Sequence, residues 1–259
     1  MSMKISNSFA SRFSAVSASK GGEAMKKLDS GLQNQTQTGH STVSDFVNNA
    51  GTGPRLNLSG INPGQLVGQL QDLALRYRQN QGVQNALNDH QQYGEQPLTD
   101  TQIAPYRVHD GDWCGMFVGA ELGLNRRARE GIASTSKALG FFTTPDSGRQ
   151  FFMLEGTDTA GKQWTNHGAL QNGLPEERYT PEHLPIRPGD VVIFDDGFKG
   201  GTGHIGMVRS YEPPILTTVE GNVDGGKVVV RTYDLSDPEV AAQFDGFGRP
   251  ALTDFQTNG

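Results

Sequence analysis

The chain is 259 residues long, carries a formal net charge of −6 and contains one cysteine. One thiol can form neither an internal disulfide nor a Cys-Cys zinc pair, so the fold must hold by packing. An acidic balance without clustered Lys and Arg argues against a nucleic-acid binder. Without an apolar run of membrane-spanning length, or the apolar core of a secretory signal peptide, the expectation is a soluble chain with no membrane insertion, exported if at all by another route. The length suits one domain and an appendage.

Residues 1–60 are Ser-rich, then Gly/Asn/Gln-rich, with no acidic residue before Glu23. Such composition does not repay the entropy of ordering a backbone, which predicts a disordered N-terminal segment. Its acid-free start with an early Ile5 resembles the N-termini of effectors exported by bacterial type III systems; a plain flexible tail is the alternative.

A helical lead-in is expected over 61–100. Asn62 can cap, Pro63 suits the first helical position, and Leu66, Leu70, Leu73 and Tyr77 recur at helical spacing. This stripe is expected to pack on the following domain, with a partner-binding helix as the alternative. The Gln/Asn-rich continuation carries His90, which reads as exposed.

Cys114 stands in "DWCGMFV" at the start of an apolar segment whose Phe117, Val118, Leu122 and Leu124 mark an amphipathic helix ending near Gly123 to Asn125. A cysteine in a first helical turn lies among unpaired backbone N–H groups at the positive end of the helix dipole. That setting favours thiolate over thiol and suits stabilisation of an oxyanion. A lone cysteine on an apolar helix is by itself more often inert core. "NRRAR" (Asn125 to Arg129), the densest basic run, reads as a solvated turn after this helix. In the long segment that follows, Phe141, Phe142, Phe151, Phe152 and Trp164 either line a groove or, more often in such insertions, pack. His167 and His183 sit in no recognisable motif.

The C-terminal third reverses the odds on Cys114. Val191 to Phe194, His204 to Tyr211, Leu216 to Glu220 and Lys227 to Tyr233 read as short strands, with Pro213-Pro214 and Asp224-Gly225-Gly226 as turns, which predicts an antiparallel meander. His204 opens one strand after glycines ending at Gly203, and Glu220 and Asn222 close the next. Antiparallel pairing then sets His204 beside Glu220 or Asn222. A thiol, a base and a group that orients the base is the logic of nucleophilic acyl transfer.

Taken in order, "DWCGMFV", "RPGDVVIF", "GHIGMVRSYE" and "TVEGNVDGG" resemble the CHAP family of cysteine amidohydrolases and peptidases, in the papain-like clan of cell-wall hydrolases, over about Thr101 to Tyr233. The resemblance implies an α+β papain-like fold, with N-terminal helices carrying the cysteine packed on an antiparallel β-sheet carrying His and Glu/Asn. It places the catalytic domain at 101–250 and leaves 251–259 as a tail. Residue by residue, Cys114 resembles the nucleophile, His204 the base, Glu220 the residue orienting the imidazole and Asn222 a supporting polar group. Trp113, Asp112 and Gly203 fall to substrate binding. Carboxylates in Asp110 to Asp112 and Asp195 to Gly197 complete no calcium loop, and Cys114 with His204 are too few for zinc, so no metal or cofactor is expected.

The implied activity is cleavage of an amide in peptidoglycan, at the N-acetylmuramoyl-L-alanine bond or within the stem or crosslink. No wall-binding repeat is recognisable, which suits delivery by a secretion machine. Peptidoglycan is then the expected partner, with a chaperone or immunity protein possible, and action is expected in the periplasm or cell wall. A cysteine protease or deamidase acting on a host protein, and a non-enzymatic binding module, stay open.

Overall fold

The computed structural model describes residues 63–94, 96–155, 177–195 and 203–256. The expected secretion segment, the Asn62 cap, Trp164, His167 and most of the Asp195 to Gly197 run lie outside them. The chain divides into two compact units, Met1–Ala74 with Thr257–Gly259, and Leu75–Gln256. Of the first, the described residues are all helical.

Helix α1 (Pro63–Tyr93) is as long as the lead-in pattern predicts, but two residues of its apolar stripe stay exposed. Leu73 is 53% exposed and Tyr77 37% exposed. In the second unit the helix buries Gln79, Gly82, Val83 and Ala86 instead. A Cβ on Gly82 would stand 2.8 Å from Leu122 Cα, so small residues let the two backbones approach closely. His90, expected to be exposed, is half-buried with Nδ1 2.9 Å from the Val228 carbonyl oxygen.

Short helix α2 (Asp100–Ile103) leads to α3 (Cys114–Glu121), capped by Trp113. The chain turns at Gly123 (φ +68°), where "NRRAR" begins a new helix, α4 (Arg126–Gly131), instead of a solvated turn. Asn125 caps it by accepting from the Ala128 N–H at 3.0 Å. Arg129 turns inward and donates to the Tyr106 carbonyl at 2.6 Å. Ser134 caps the next helix, α5 (Thr135–Thr143).

Strands β1 (Gln150–Phe152), β2 (Val191–Phe194), β3 (His204–Glu212), β4 (Ile215–Val223), β5 (Lys227–Asp234) and β6 (Phe244–Arg249) form one antiparallel sheet in the order β1-β6-β2-β3-β4-β5. A short helix α6 (Pro238–Ala241) precedes β6. The β3-β4-β5 meander is as expected, and the fold is α+β with helices preceding the sheet. β2 is buried throughout because alternate residues face two cores. Val191 and Ile193 pack with α3, while Val192 and Phe194 join Phe244 and Phe247.

The Pro-Gly-Asp turn is a junction. Gly189 has φ +86° and abuts Gln79 so closely that no Cβ fits. Asp190, fully buried, accepts from Gln79 at 2.8 Å, from Arg249 at 2.7 Å and from the Arg187 N–H at 3.0 Å. It thus ties α1, β6 and the start of β2 together. Residues 251–256, expected as a tail, are part of this unit: Ala251, Asp254 and Phe255 are buried, and Asp254 receives a bidentate Arg149.

Gly115 marks the tightest approach on α3, since a Cβ there would strike the Ile132 carbonyl oxygen, and backbone yields little. Gly115→Ala is expected to cost about 1–3 kcal/mol. Gly68→Ala, in a helix interior with nothing within 4 Å, should instead gain about 0.5–1 kcal/mol. Thermal melts of both variants check the pair.

Candidate active site

The sequence-predicted residues converge on a cleft of about 560 Å³ lined by Cys114, His204, Gly203, Asp112, Asn222 and Thr135 among others. Cys114 opens α3, and α3 packs on β3 and β4, which sets the first helical turn beside the strand ends. The amides of that turn have no carbonyl four residues earlier within the helix. The earliest ladder bond is Phe117 N–H to the Trp113 carbonyl, at 2.8 Å.

His204 is the first residue of β3 and 3% exposed. Its Nε2 stands 3.0 Å from Glu220 Oε2, and Cys114, lining the same cleft, is close enough to influence the imidazole's charge. The register explains the meeting: Gly206 faces Glu220, so His204 lies two residues further along the same face of β3. Gly206 leaves room for it, because a Cβ there would come within 2.9 Å of Glu220 Cγ.

Burial by itself would pull the imidazole down. Hydrogen bonds with Cys114 and Glu220, and the negative charge of each, outweigh it and push His204 up to about 9. For Glu220 burial works the other way, raising the carboxyl, yet bonds from His204, Thr218 and Tyr233 hold it below the usual carboxylate range. The site therefore favours an imidazolium beside an ionised Glu220.

Asn222 reaches the cleft but not in the expected role. It sits at φ +62°, and its amide donates to Asp112 Oδ1 at 3.3 Å, joining the end of β4 to the loop before α3. A strand residue two places beyond Glu220 would share its face, but β4 is irregular between Glu220 and Val223, and this re-aims the side chain. Trp113 is 4% exposed and stacks on Tyr106 with centroids 5.8 Å apart, so it shapes the cleft by anchoring the first turn of α3. Gly203, at φ +61°, and the exposed Asp112 line the opening.

Phe142, Phe151 and Phe152 are buried in the cores, and Phe141 lies under the Arg149 guanidinium, so these aromatics pack. His183 bonds Thr180 at 2.9 Å, away from the cleft lining. Sequence reasoning missed Thr218 and Tyr233, which both donate to Glu220 Oε1, at 2.7 and 2.8 Å. The available signal was the two-residue spacing of Thr218 from Glu220 on one strand face. No group of three or more potential metal-ligating His, Cys, Asp or Glu occurs among the described residues.

Residues 106–222 match the CHAP domain family model. The chain carries a CHAP domain. The match runs from Tyr106 to Asn222 and so encloses Cys114, His204 and Glu220. CHAP domains are usually hydrolases of the amidase or peptidase kind, and the family suggests peptidoglycan as substrate. Among solved structures, the "X-ray Crystal Structure of PlyC" is similar at 16% identity with a TM-score of 0.34, covering 88% of this chain and 49% of that one. The chain thus spans about half the length of that relative. No curated protein matches the sequence. Among the described residues, no helix of the CHAP-containing chain is long and apolar enough to cross a membrane.

The charged imidazole has a thermodynamic signature. His204 is raised above its unfolded value of about 6.5, so its contribution to stability is fully present below that pH and lost as pH rises through about 9. In Cys114→Ala one raising partner is gone, so the His204 NMR titration midpoint should fall and the stability loss across this window should shrink. Identical profiles for both proteins would show that the thiol and the imidazole are not coupled.

Proposed function

We propose that the protein is a cysteine-dependent peptidoglycan hydrolase that cleaves an amide bond, at the N-acetylmuramoyl-L-alanine linkage or within the stem peptide or crosslink. The observation that carries this reading is the buried Cys114–His204–Glu220 contact at an open cleft within a CHAP domain.

Each part has a chemical task. The Cys114 thiolate attacks the amide carbonyl, and first-turn amides of α3 are placed to receive the developing oxyanion. As the tetrahedral adduct collapses, the C–N bond breaks and the His204 imidazolium gives its proton to the departing amine. The thioester remains on Cys114. Neutral His204 then takes a proton from water, the hydroxide adds to the thioester, and the C–S bond breaks to release the carboxylic acid and restore the thiolate. Glu220 keeps the imidazole oriented and stabilises its charge through both steps. Trp113 holds the first turn in place, while Asp112, Gly203 and Asn222 border the substrate.

The same proposal puts the protein outside the cytoplasm, in the periplasm or wall where its substrate lies. The acid-free, Ser-rich start of the sequence supports that part.

Incubation of purified sacculi and defined muropeptides, followed by mass spectrometry, tests the reading. New fragments should appear with wild type and name the bond. Cys114→Ala and His204→Ala should each lower the rate by on the order of 10³-fold or more, since residues acting as one unit fail together. Sacculi unchanged by the wild-type protein would overturn the wall assignment. Substantial activity in either variant would overturn the mechanism.

A further inference from the structure

Glu220 has two carboxylate oxygens, and the imidazole uses one. Oε2 faces His204 at 3.0 Å, while Oε1 accepts from Thr218 Oγ1 at 2.7 Å and from Tyr233 Oη at 2.8 Å. The register makes this possible. Thr218 precedes Glu220 by two residues on β4, and the β4–β5 pairs Thr218 with Arg231 and Leu216 with Tyr233 bring the phenol diagonally onto the same face.

A buried carboxylate without donors would take up a proton or turn away from the imidazole. Glu220 is fully buried, and its second oxygen is bound by two hydroxyls whose parent strands are fixed in the sheet. Arg231, the neighbour of these groups on β5, donates through Nη2 to Asp224 in the cleft wall at 2.8 Å.

We propose that Tyr233 and Thr218 are positioning residues for the Cys114–His204 pair: they hold Glu220 ionised and in the orientation from which Oε2 meets the imidazole. This rests on the reading of Cys114 as nucleophile. A merely structural role for Tyr233 would lie in its ring contacts, with centroids 5.6 Å from Phe194 and 5.3 Å from Phe244. Tyr233→Phe keeps those contacts and removes one oxygen, so it separates the two roles.

The consequence for charge has a definite sign. Without a donor on Oε1, Glu220 binds a proton more readily and swings more freely, so the imidazolium loses its partner. The thiolate–imidazolium pair then persists over a narrower range of pH.

Cys114 is the chain's one cysteine, so alkylation by iodoacetamide as a function of pH reads that pair without any substrate. Wild type should react at pH values well below those at which a free thiol responds. In Tyr233→Phe and in Thr218→Val the rise should move toward higher pH, with a rate at pH 6 lower by about 3–10-fold, the equivalent of roughly half to one pH unit. Thr218→Ser, which keeps the hydroxyl, should follow wild type. In hydrolysis, kcat should fall with KM nearly constant and the alkaline limb should move to lower pH.

A free-thiol profile in wild type would overturn the nucleophile reading itself. A shifted wild-type profile on which Tyr233→Phe and Thr218→Val superimpose would overturn the positioning role alone. Should Tyr233→Phe not fold, by circular dichroism and thermal melting, the Thr218→Val and Thr218→Ser pair decides.

Discussion

The buried contact between His204 and Glu220 is the constraint on which the site depends. Placing an imidazolium and a carboxylate out of water is costly, and attraction between them offsets that only when the remaining hydrogen-bonding capacity is filled. Here it is filled: each Glu220 oxygen is committed, and the imidazole meets a thiol on one side and a carboxylate on the other. Removing a single member would leave the others buried with unmet partners. The sheet supplies the rigidity, because the residues around Glu220 lie on three adjacent antiparallel strands whose register fixes their spacing.

The helix that brings the cysteine is set by small residues and by the aromatic cluster behind it. Gly115 admits the Ile132 carbonyl, Gly221 admits the rings of Phe117 and Trp113, and Trp113 stacks on Tyr106. Behind the far end of α3, Glu121 is buried beside Asp89, and burial with that neighbouring charge pushes it up to about 8. Asp89 also receives the Tyr106 hydroxyl. The Asp190 junction holds α1, β2 and β6 to one another. The Asp190 node is buried, so α1 cannot slide on the sheet without breaking charged hydrogen bonds.

Much of this was legible in the residues. Period-two runs rich in β-branched residues, separated by Pro and Gly turns, announce β2 to β5, and antiparallel pairing alone predicts that His204 meets Glu220 or Asn222. The cysteine at a helix start was equally plain. What failed were inferences from local periodicity about faces. On α1 the leucine stripe suggested the packing side, yet close backbone approach at Gly82 selects small residues, and Leu73 and Tyr77 stay exposed. "NRRAR" resembled the end of one helix but begins the next, because Asn125 caps it and Arg129 donates to the Tyr106 carbonyl. β6 contains Gly246 and Gly248 and lacks a clean alternation, so its pairing with both β1 and β2 was hidden.

The sequence by itself determined the local elements and the types of group available for chemistry: one thiol, a histidine opening a strand, a glutamate closing its neighbour. These depend on short-range geometry, helix dipole and strand periodicity, which operate over a few residues. Only the tertiary structure decided which groups share an atom. It gave Glu220 Oε1 to Thr218 and Tyr233, turned Asn222 toward Asp112 and packed residues 251–256 into the unit. Such choices follow from sheet register, from an irregularity in β4 and from the close packing of distant segments, and none of these is written in the spacing of residues along the chain.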